Sequence, residues 1–398
     1  MHTVNRHSTF YDVLESLAKP GCAICALVAR TRWRYLDSLA YENVNDPGIR
    51  AKLRESFGFC NRHAWYFVEN VREVFGAAII YRDILHTVQA MTIGNPGRSV
   101  LEPTGICPAC SAEWQSAEDA LLVIADAIGE SDLRAALEAS DGLCGHHLLQ
   151  AMAIMRSDVR EVLRSIVLES WRRRQTDVRT LRWYATGAAG NFATDDRPFA
   201  NQGSTATLAT TVNTDDSFAC PVCVTVRSEL KHVGSWVSLD DGVNGLCNVH
   251  AAMPEAEPCA ELYRRQMAAI GGRVEELARA PGEVWLRQAM RGFGLGNGRT
   301  AIPPVPLQCV VCARQAAIEN TLCREVEQPL CLPHLRRAVV ARGPTAINAV
   351  KPVWRGLDRL LGEYLRKEDY RFRGEPRGIE QRSPRWAVAL FAGTPGIR

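Results

Sequence analysis

Apolar residues recur at helical spacing through most of this chain, so the pattern predicts a largely α-helical fold. Behind Ser8, a capping residue, Phe10, Val13, Leu14 and Leu17 mark a short helix that Lys19-Pro20-Gly21 ends. From Ala23 to Glu42 the stripe is Ile24, Leu27, Val28, Tyr35, Leu36 and Leu39. Asn45 or Asp46 caps a third helix with Pro47 in its first turn and Ile49 and Leu53 inward, and Gly58 breaks it. Helical periodicity resumes from Cys60 to Val74 through Trp65, Phe67, Val68 and Val71, and from Ala77 to Met91 through Ile80, Ile84, Leu85 and Val88. Near the carboxyl end Val350, Trp354, Leu357, Leu361, Tyr364 and Leu365 form one more stripe.

Part of the pattern repeats. At an offset of 84 residues, Ile49, Arg50, Ala51, Leu53, Ser56, Gly58, Cys60 and His63 fall on Leu133, Arg134, Ala135, Leu137, Ser140, Gly142, Cys144 and His147. The first two modules are therefore internal duplicates. Each carries a Cys-x-x-Cys pair followed by Cys-x-x-His, and two further modules do the same. In sequence order the four sets are Cys22, Cys25, Cys60 and His63; Cys107, Cys110, Cys144 and His147; Cys220, Cys223, Cys247 and His250; and Cys309, Cys312, Cys331 and His334. Between the pairs lie 34 and 33 residues in the first two modules but only 23 and 18 in the others, which points to loss of the middle helix.

With 14 cysteines in 398 residues, chance gives roughly half a Cys-x-x-Cys in the whole chain. Three thiolates and one imidazole make the closed tetrahedral shell of a structural zinc ion, so four zinc sites are expected, one per module. An iron–sulfur cluster is the less favoured occupant, since Cys3His can hold one as well. Both pairs fall at predicted helix starts, where free N–H groups and the positive dipole end stabilise thiolates. Glycine before the second pair, at Gly58, Gly142 and Gly245, allows a turn that a side chain obstructs; the fourth module has Pro329-Leu330 there. His146, beside His147, is one position out of register; His147 is read as the ligand and His146 as its neighbour or substitute. Cys259 and Cys323 remain outside the sets, as small buried residues or as thiols that exchange with a ligand.

The expected organisation is zinc module 1 over 1–95 and module 2 over 96–184, a flexible linker over 185–218, module 3 over 219–291, a Gly/Pro linker over 292–306, and module 4 with a C-terminal helix and tail over 307–398. The fold class is mainly α: tandem zinc-stapled helical modules in two halves. Composition changes this little. The formal charge of +3 counts thiols as neutral; twelve thiolates with four divalent ions bring it to about −1, so a strongly basic surface is not indicated. The cluster Arg172, Arg173, Arg174, Arg179 and Arg182 is read as the solvated face of a helix rather than a phosphate grip. The segment Met1 to Arg6 lacks a secretory apolar stretch, and no run approaches the ~20 apolar residues of a membrane span. A cytoplasmic protein without membrane association is expected, its thiolates held on metal rather than in disulfides.

Tyr11-Asp12-Val13-Leu14, the run Glu42-Asn43-Val44-Asn45-Asp46-Pro47, Gly58-Phe59-Cys60-Asn61-Arg62-His63, and Asp369-Tyr370-Arg371-Phe372-Arg373 with Glu375-Pro376 resemble an uncharacterised bacterial family, a domain of unknown function built from repeated CPxC and CxxH motifs. The resemblance covers nearly the whole chain. It implies metal binding and a bacterial origin, and it brings no activity. Ala23 and Val310 stand where the family has proline.

Enzyme signatures are missing: there is no HExxH, Walker loop, GxSxG or HxE, and a closed shell offers no open position to a substrate. The leading expectation is a non-catalytic helical scaffold or adaptor for a protein or peptide partner. Two alternatives belong to other classes: a thiol-based redox sensor or iron–sulfur electron carrier, and a nucleic-acid-binding protein, which the near-neutral charge and the lack of C2H2 spacing disfavour.

Overall fold

The computed structural model describes residues 8–94, 97, 99–174, 180–181, 184–185, 219–230, 260–279, 309–372 and 374–396. Among them there are fifteen α-helices and no β-strand: α1 Ser8–Leu17, α2 Ala23–Ser38, α3 Pro47–Glu55, α4 Asn61–Glu69, α5 Val74–Met91, α6 Pro108–Ala127, α7 Ser131–Ala139, α8 Gly145–Ile154, α9 Ser157–Arg174, α10 Pro221–Leu230, α11 Ala260–Arg279, α12 Val310–Glu325, α13 Leu332–Arg342, α14 Lys351–Glu368 and α15 Ser383–Ala392. The linkers expected over 185–218 and 292–306 lie outside the described residues except for Ala185. So do Cys247, His250, Cys259, Arg179 and Arg182.

The chain divides into two compact units, each assembled from three separated segments. Unit 1 comprises Met1–Thr31, Glu113–Thr205 and His232–Ala313; unit 2 comprises Arg32–Ala112, Ala206–Lys231 and Arg314–Arg398. Three of the five divisions fall inside α2, α6 and α12. These units do not follow the four successive modules of the sequence.

In unit 1, α11 packs on α8 and α9, α7 and α8 lie against α9, and α1 lies against α7. Leu133, Leu137, Leu148, Met152, Leu163, Val167 and Val274 are fully buried there. Buried polar groups hold the turn before α8: the Trp171 indole donates to the Leu143 carbonyl at 2.8 Å and the Ser170 hydroxyl to the Ser140 carbonyl at 3.0 Å. In unit 2, α5 is the central element, covered by α3, α4, α14 and α15. Its Ile80, Tyr81, Ile84, Leu85 and Val88 are buried, and Tyr81 meets Phe391 of α15 with ring centroids 5.6 Å apart. The predicted stripe of α14 is realised by Trp354, Leu357, Leu361 and Tyr364.

Local chemistry sets the helix boundaries as the sequence suggests. The Asp46 carboxylate accepts from the Ile49 amide at 2.7 Å and caps α3, with Pro47 in the first turn. Gly58 and Gly142 have φ of 95° and 78° in the left-handed region, so the two duplicate turns share one conformation. Module 4 passes from α12 to Cys331 with no helix between, as its shorter spacing predicts. The charged C-terminal segment pairs with itself: Arg366 bridges Glu363 and Glu375, Lys367 meets Glu380, and Arg371 closes on Asp369.

Candidate metal centres

Each described ligand pair opens a helix. The carbonyls of Cys22, Cys60, Cys107, Cys144, Cys220, Cys309 and Cys331 each accept the amide four residues on, the first bond of the helix that follows. The first residue of every pair is therefore the N-cap and the second sits at N3. Cys60, Cys144 and Cys331 have the extended backbone of that position, with φ near −63°, −71° and −65°. N-cap and N3 side chains lie over the same turn, so a Cys-x-x-Cys or Cys-x-x-His pair at a helix start aims two donors at one point. Two such helix starts facing each other bring four.

The structure chooses different partners from those the sequence order suggests. Centre 1, in unit 1, joins Cys22 and Cys25 to Cys144 and His147. Centre 2, in unit 2, joins Cys60 and His63 to Cys107 and Cys110. Centre 3, also in unit 2, joins Cys220 and Cys223 to Cys331 and His334. The expected sets built from Cys22, Cys25, Cys60 and His63, and from Cys107, Cys110, Cys144 and His147, are thus replaced by an exchange between the two duplicates. Cys220 and Cys223 likewise join the Cys-x-x-His of module 4 rather than Cys247 and His250.

Helix length is the physical reason. Between Cys312 and Cys331 the chain climbs α12 to Glu325, which at about 1.5 Å per residue is about 20 Å. The stretch 326–330, at no more than about 3.6 Å per residue, can barely retrace that distance fully extended and leaves nothing for a turn. In modules 1 and 2 the long helices α2 and α6 cross from one compact unit to the other, so each Cys-x-x-Cys pair lies in a different unit from the Cys-x-x-His that follows it. Each Cys-x-x-His pair therefore meets the partner module's thiolates.

The donor spacing is that of a single-ion shell. Sulfur–sulfur distances are 3.7 Å for Cys25 and Cys144, 3.6 Å for Cys60 and Cys110, and 3.7 Å for Cys223 and Cys331. The imidazole Nδ1 of His147 is 3.3–3.4 Å from its three sulfurs, that of His63 3.3–3.5 Å, and that of His334 3.2–3.5 Å. A regular tetrahedron with Zn–S of about 2.3 Å and Zn–N of about 2.0–2.1 Å has S···S edges of about 3.8 Å and S···N edges of about 3.5 Å. The described sulfurs are free thiols and thiolates rather than cystines.

Electrostatics within each set favour a cation. Burial pushes the Cys22 thiol up, but hydrogen bonds with Cys144 and Cys25 and the His147 charge outweigh it and hold Cys22 well below the usual thiol range. Cys25 is driven well above that range by sharing hydrogens with Cys144 and Cys22 and by burial. Burial works against an imidazolium at His147, yet Cys144 and Cys22 hold it up to about 10. Low and high thiols beside a proton-holding imidazole are the mark of crowded negative charge that a divalent ion neutralises.

The surroundings differ from centre to centre. All four donors of centre 3 are buried, while Cys25 of centre 1 and Cys60 and Cys110 of centre 2 are partly exposed. In unit 2 the C-terminal turn of α15 lies by both centres. Asn61, next to Cys60, donates to the carbonyls of Ala392 and Thr394 at 2.8 and 2.7 Å, and a Cβ on Gly393 would stand 3.7 Å from the Cys223 sulfur. His146 is solvent-exposed, its ring edge against His147 at a centroid distance of 5.2 Å. Cys323 is buried, and burial pushes its thiol up, the behaviour of a packing residue.

No family model matches the chain, and no solved structure matches it. A protein described as an uncharacterised 23.9 kDa protein in the xynA 3′ region, from Caldicellulosiruptor sp. (strain Rt8B.4), is 30% identical over 113 residues, which are 27% of this chain and 52% of the relative. The chain thus spans about half the length of that curated relative, whose printed name states no activity.

Proposed function

We propose that the chain is a zinc-binding helical scaffold without catalytic activity, each unit stapled by structural zinc ions, four in all. The observation that carries this reading is the donor geometry: three thiolates and one imidazole at the vertices of a single-ion tetrahedron, three times over among the described residues. Such a shell leaves no coordination position for substrate, so the ion's work is structural. Bound zinc would supply about 10 kcal/mol or more of folding free energy at each site.

Donors this close together favour one metal ion over an iron–sulfur cluster, in which the protein ligands bind different irons and stand further apart. The nucleic-acid reading finds less support. Arg172 is paired with Glu169 on its own helix and Arg173 donates to the Glu138 carbonyl of α7, so both side chains have partners within unit 1. Among the described residues no helix is long and apolar enough to cross a membrane. A cytoplasmic scaffold of the bacterial CPxC and CxxH family, presenting exposed side chains such as Tyr41, Tyr370 and Ile379 to a protein or peptide partner, is the fuller form of the proposal.

Metal analysis of the purified chain tests it. Four zinc per chain in a colourless protein is the expected result; brown protein with visible absorbance after anaerobic purification favours clusters and defeats it. Co-purification from the source organism tests the partner.

A further inference from the structure

What stands behind each ligating imidazole is not the same. At centre 3 the His334 Nε2, on the far side of the ring from the three sulfurs, is 3.2 Å from Glu319 Oε1. Glu319, on α12, is 1% exposed, its second oxygen meets Arg337 at 3.0 Å, and Gln315 donates to Oε1 at 2.7 Å. At centre 2 the group against His63 Nε2 is instead the Arg62 guanidinium, Nη2 at 3.2 Å, which donates and cannot accept.

A histidine that ligates through Nδ1 carries its hydrogen on Nε2. A carboxylate accepting that hydrogen fixes the tautomer and ring orientation and makes Nδ1 a stronger donor; a guanidinium does the opposite. We propose that Glu319 is a positioning residue for the metal at centre 3, acting through His334, and that centre 3 is consequently the last of the centres in unit 2 to release its ion. The inference rests on the zinc reading. Complete burial of its four donors adds to retention, since a chelator must reach the ion through protein, whereas Cys60 and Cys110 are open to it at centre 2.

The test is chelator-driven release of zinc from the full chain, followed with a chromogenic chelator, alongside the visible spectrum of the cobalt-substituted protein. Cys223→Ser assigns the phase that belongs to centre 3 by removing it. Glu319→Gln keeps the size and one acceptor oxygen but loses the charge. It is expected to speed that phase about 10-fold, with up to about 100-fold for Glu319→Ala. In the cobalt protein, one equivalent of the d–d envelope shifts in Glu319→Gln while helicity is unchanged. A role in packing alone would leave the cobalt spectrum of Glu319→Gln as in the parent. Metal bound normally but released from centre 3 at the parental rate in Glu319→Gln overturns this inference alone. A chain that takes up no metal overturns the zinc reading and this inference together.

Discussion

Cys25 and Cys144 lie 119 positions apart in the chain, yet their sulfurs are 3.7 Å from each other. The module that contributes each residue does not keep its own ligands, and unit 1 owes its staple to two duplicates at once. The consequences are measurable.

Paired substitutions distinguish exchanged from sequential sites. Cys22→Ser with Cys144→Ser removes two donors of one centre and is expected to cost one equivalent of zinc. Cys22→Ser with Cys60→Ser removes one donor from each of two centres and is expected to cost two. The reverse stoichiometry, read by elemental analysis on folded protein, would refute the exchange.

Metal uptake is expected to release protons. With no cation present, His147 holds a proton up to about 10 and Cys25 stays a thiol beyond the usual range, so at pH 7 an incoming ion displaces both. Affinity therefore falls as pH is lowered. Calorimetry in buffers of different ionisation enthalpy gives the number of protons, and a value of zero would contradict the assignment.

Two equivalent glycines are expected to tolerate alanine unequally. At Gly58 a Cβ would lie 2.8 Å from the Tyr81 ring, on a backbone at φ 95°; at Gly142 the nearest atom is 3.4 Å away, at φ 78°. Left-handed strain alone costs about 1–2 kcal/mol, so Gly142→Ala is expected near that value and Gly58→Ala about 1 kcal/mol higher because the buried ring must move. Thermal unfolding of the two variants makes the comparison.

Acid is expected to weaken unit 2 through Glu380. Burial raises this carboxyl, but the Gly378 amide and the Lys367 ammonium outweigh burial and hold it down to about 2, against an ordinary 4.5. A depressed folded value means the contribution is full above about 4.5 and is lost as pH falls toward 2. Glu380→Gln should therefore be less stable than the parent at pH 6, with the gap closing in that window. A gap independent of pH would show that the charge is not what matters.

Much of the site could be read directly from the residue pattern. Helical spacing marks α1 to α5 and α14, and Asp46, Gly58 and Gly142 announce their cap and turns because each acts on its own backbone. The two donors of every Cys-x-x-Cys and Cys-x-x-His pair were equally visible, since N-cap and N3 share a turn whatever the rest of the chain does. One further signal lay in the 18 residues between Cys312 and Cys331. A helix as long as α12 fills too much of that stretch to let the chain return, but that length is known only from the folded unit.

The amino-acid order by itself determines the donors, their grouping in twos and the helices that present them, because those depend on contacts within a turn or a few. Which two joins which other two was decided only in three dimensions. Long helices carry the described Cys-x-x-Cys pairs of modules 1, 2 and 4 away from the Cys-x-x-His that follows, and the cost of leaving thiolates unpaired is relieved by whichever complementary helix start the packing brings within reach. Glu319 behind His334 belongs to the same class: fifteen residues and a turn separate them, and only the packed unit puts that buried carboxylate at the far nitrogen of the imidazole.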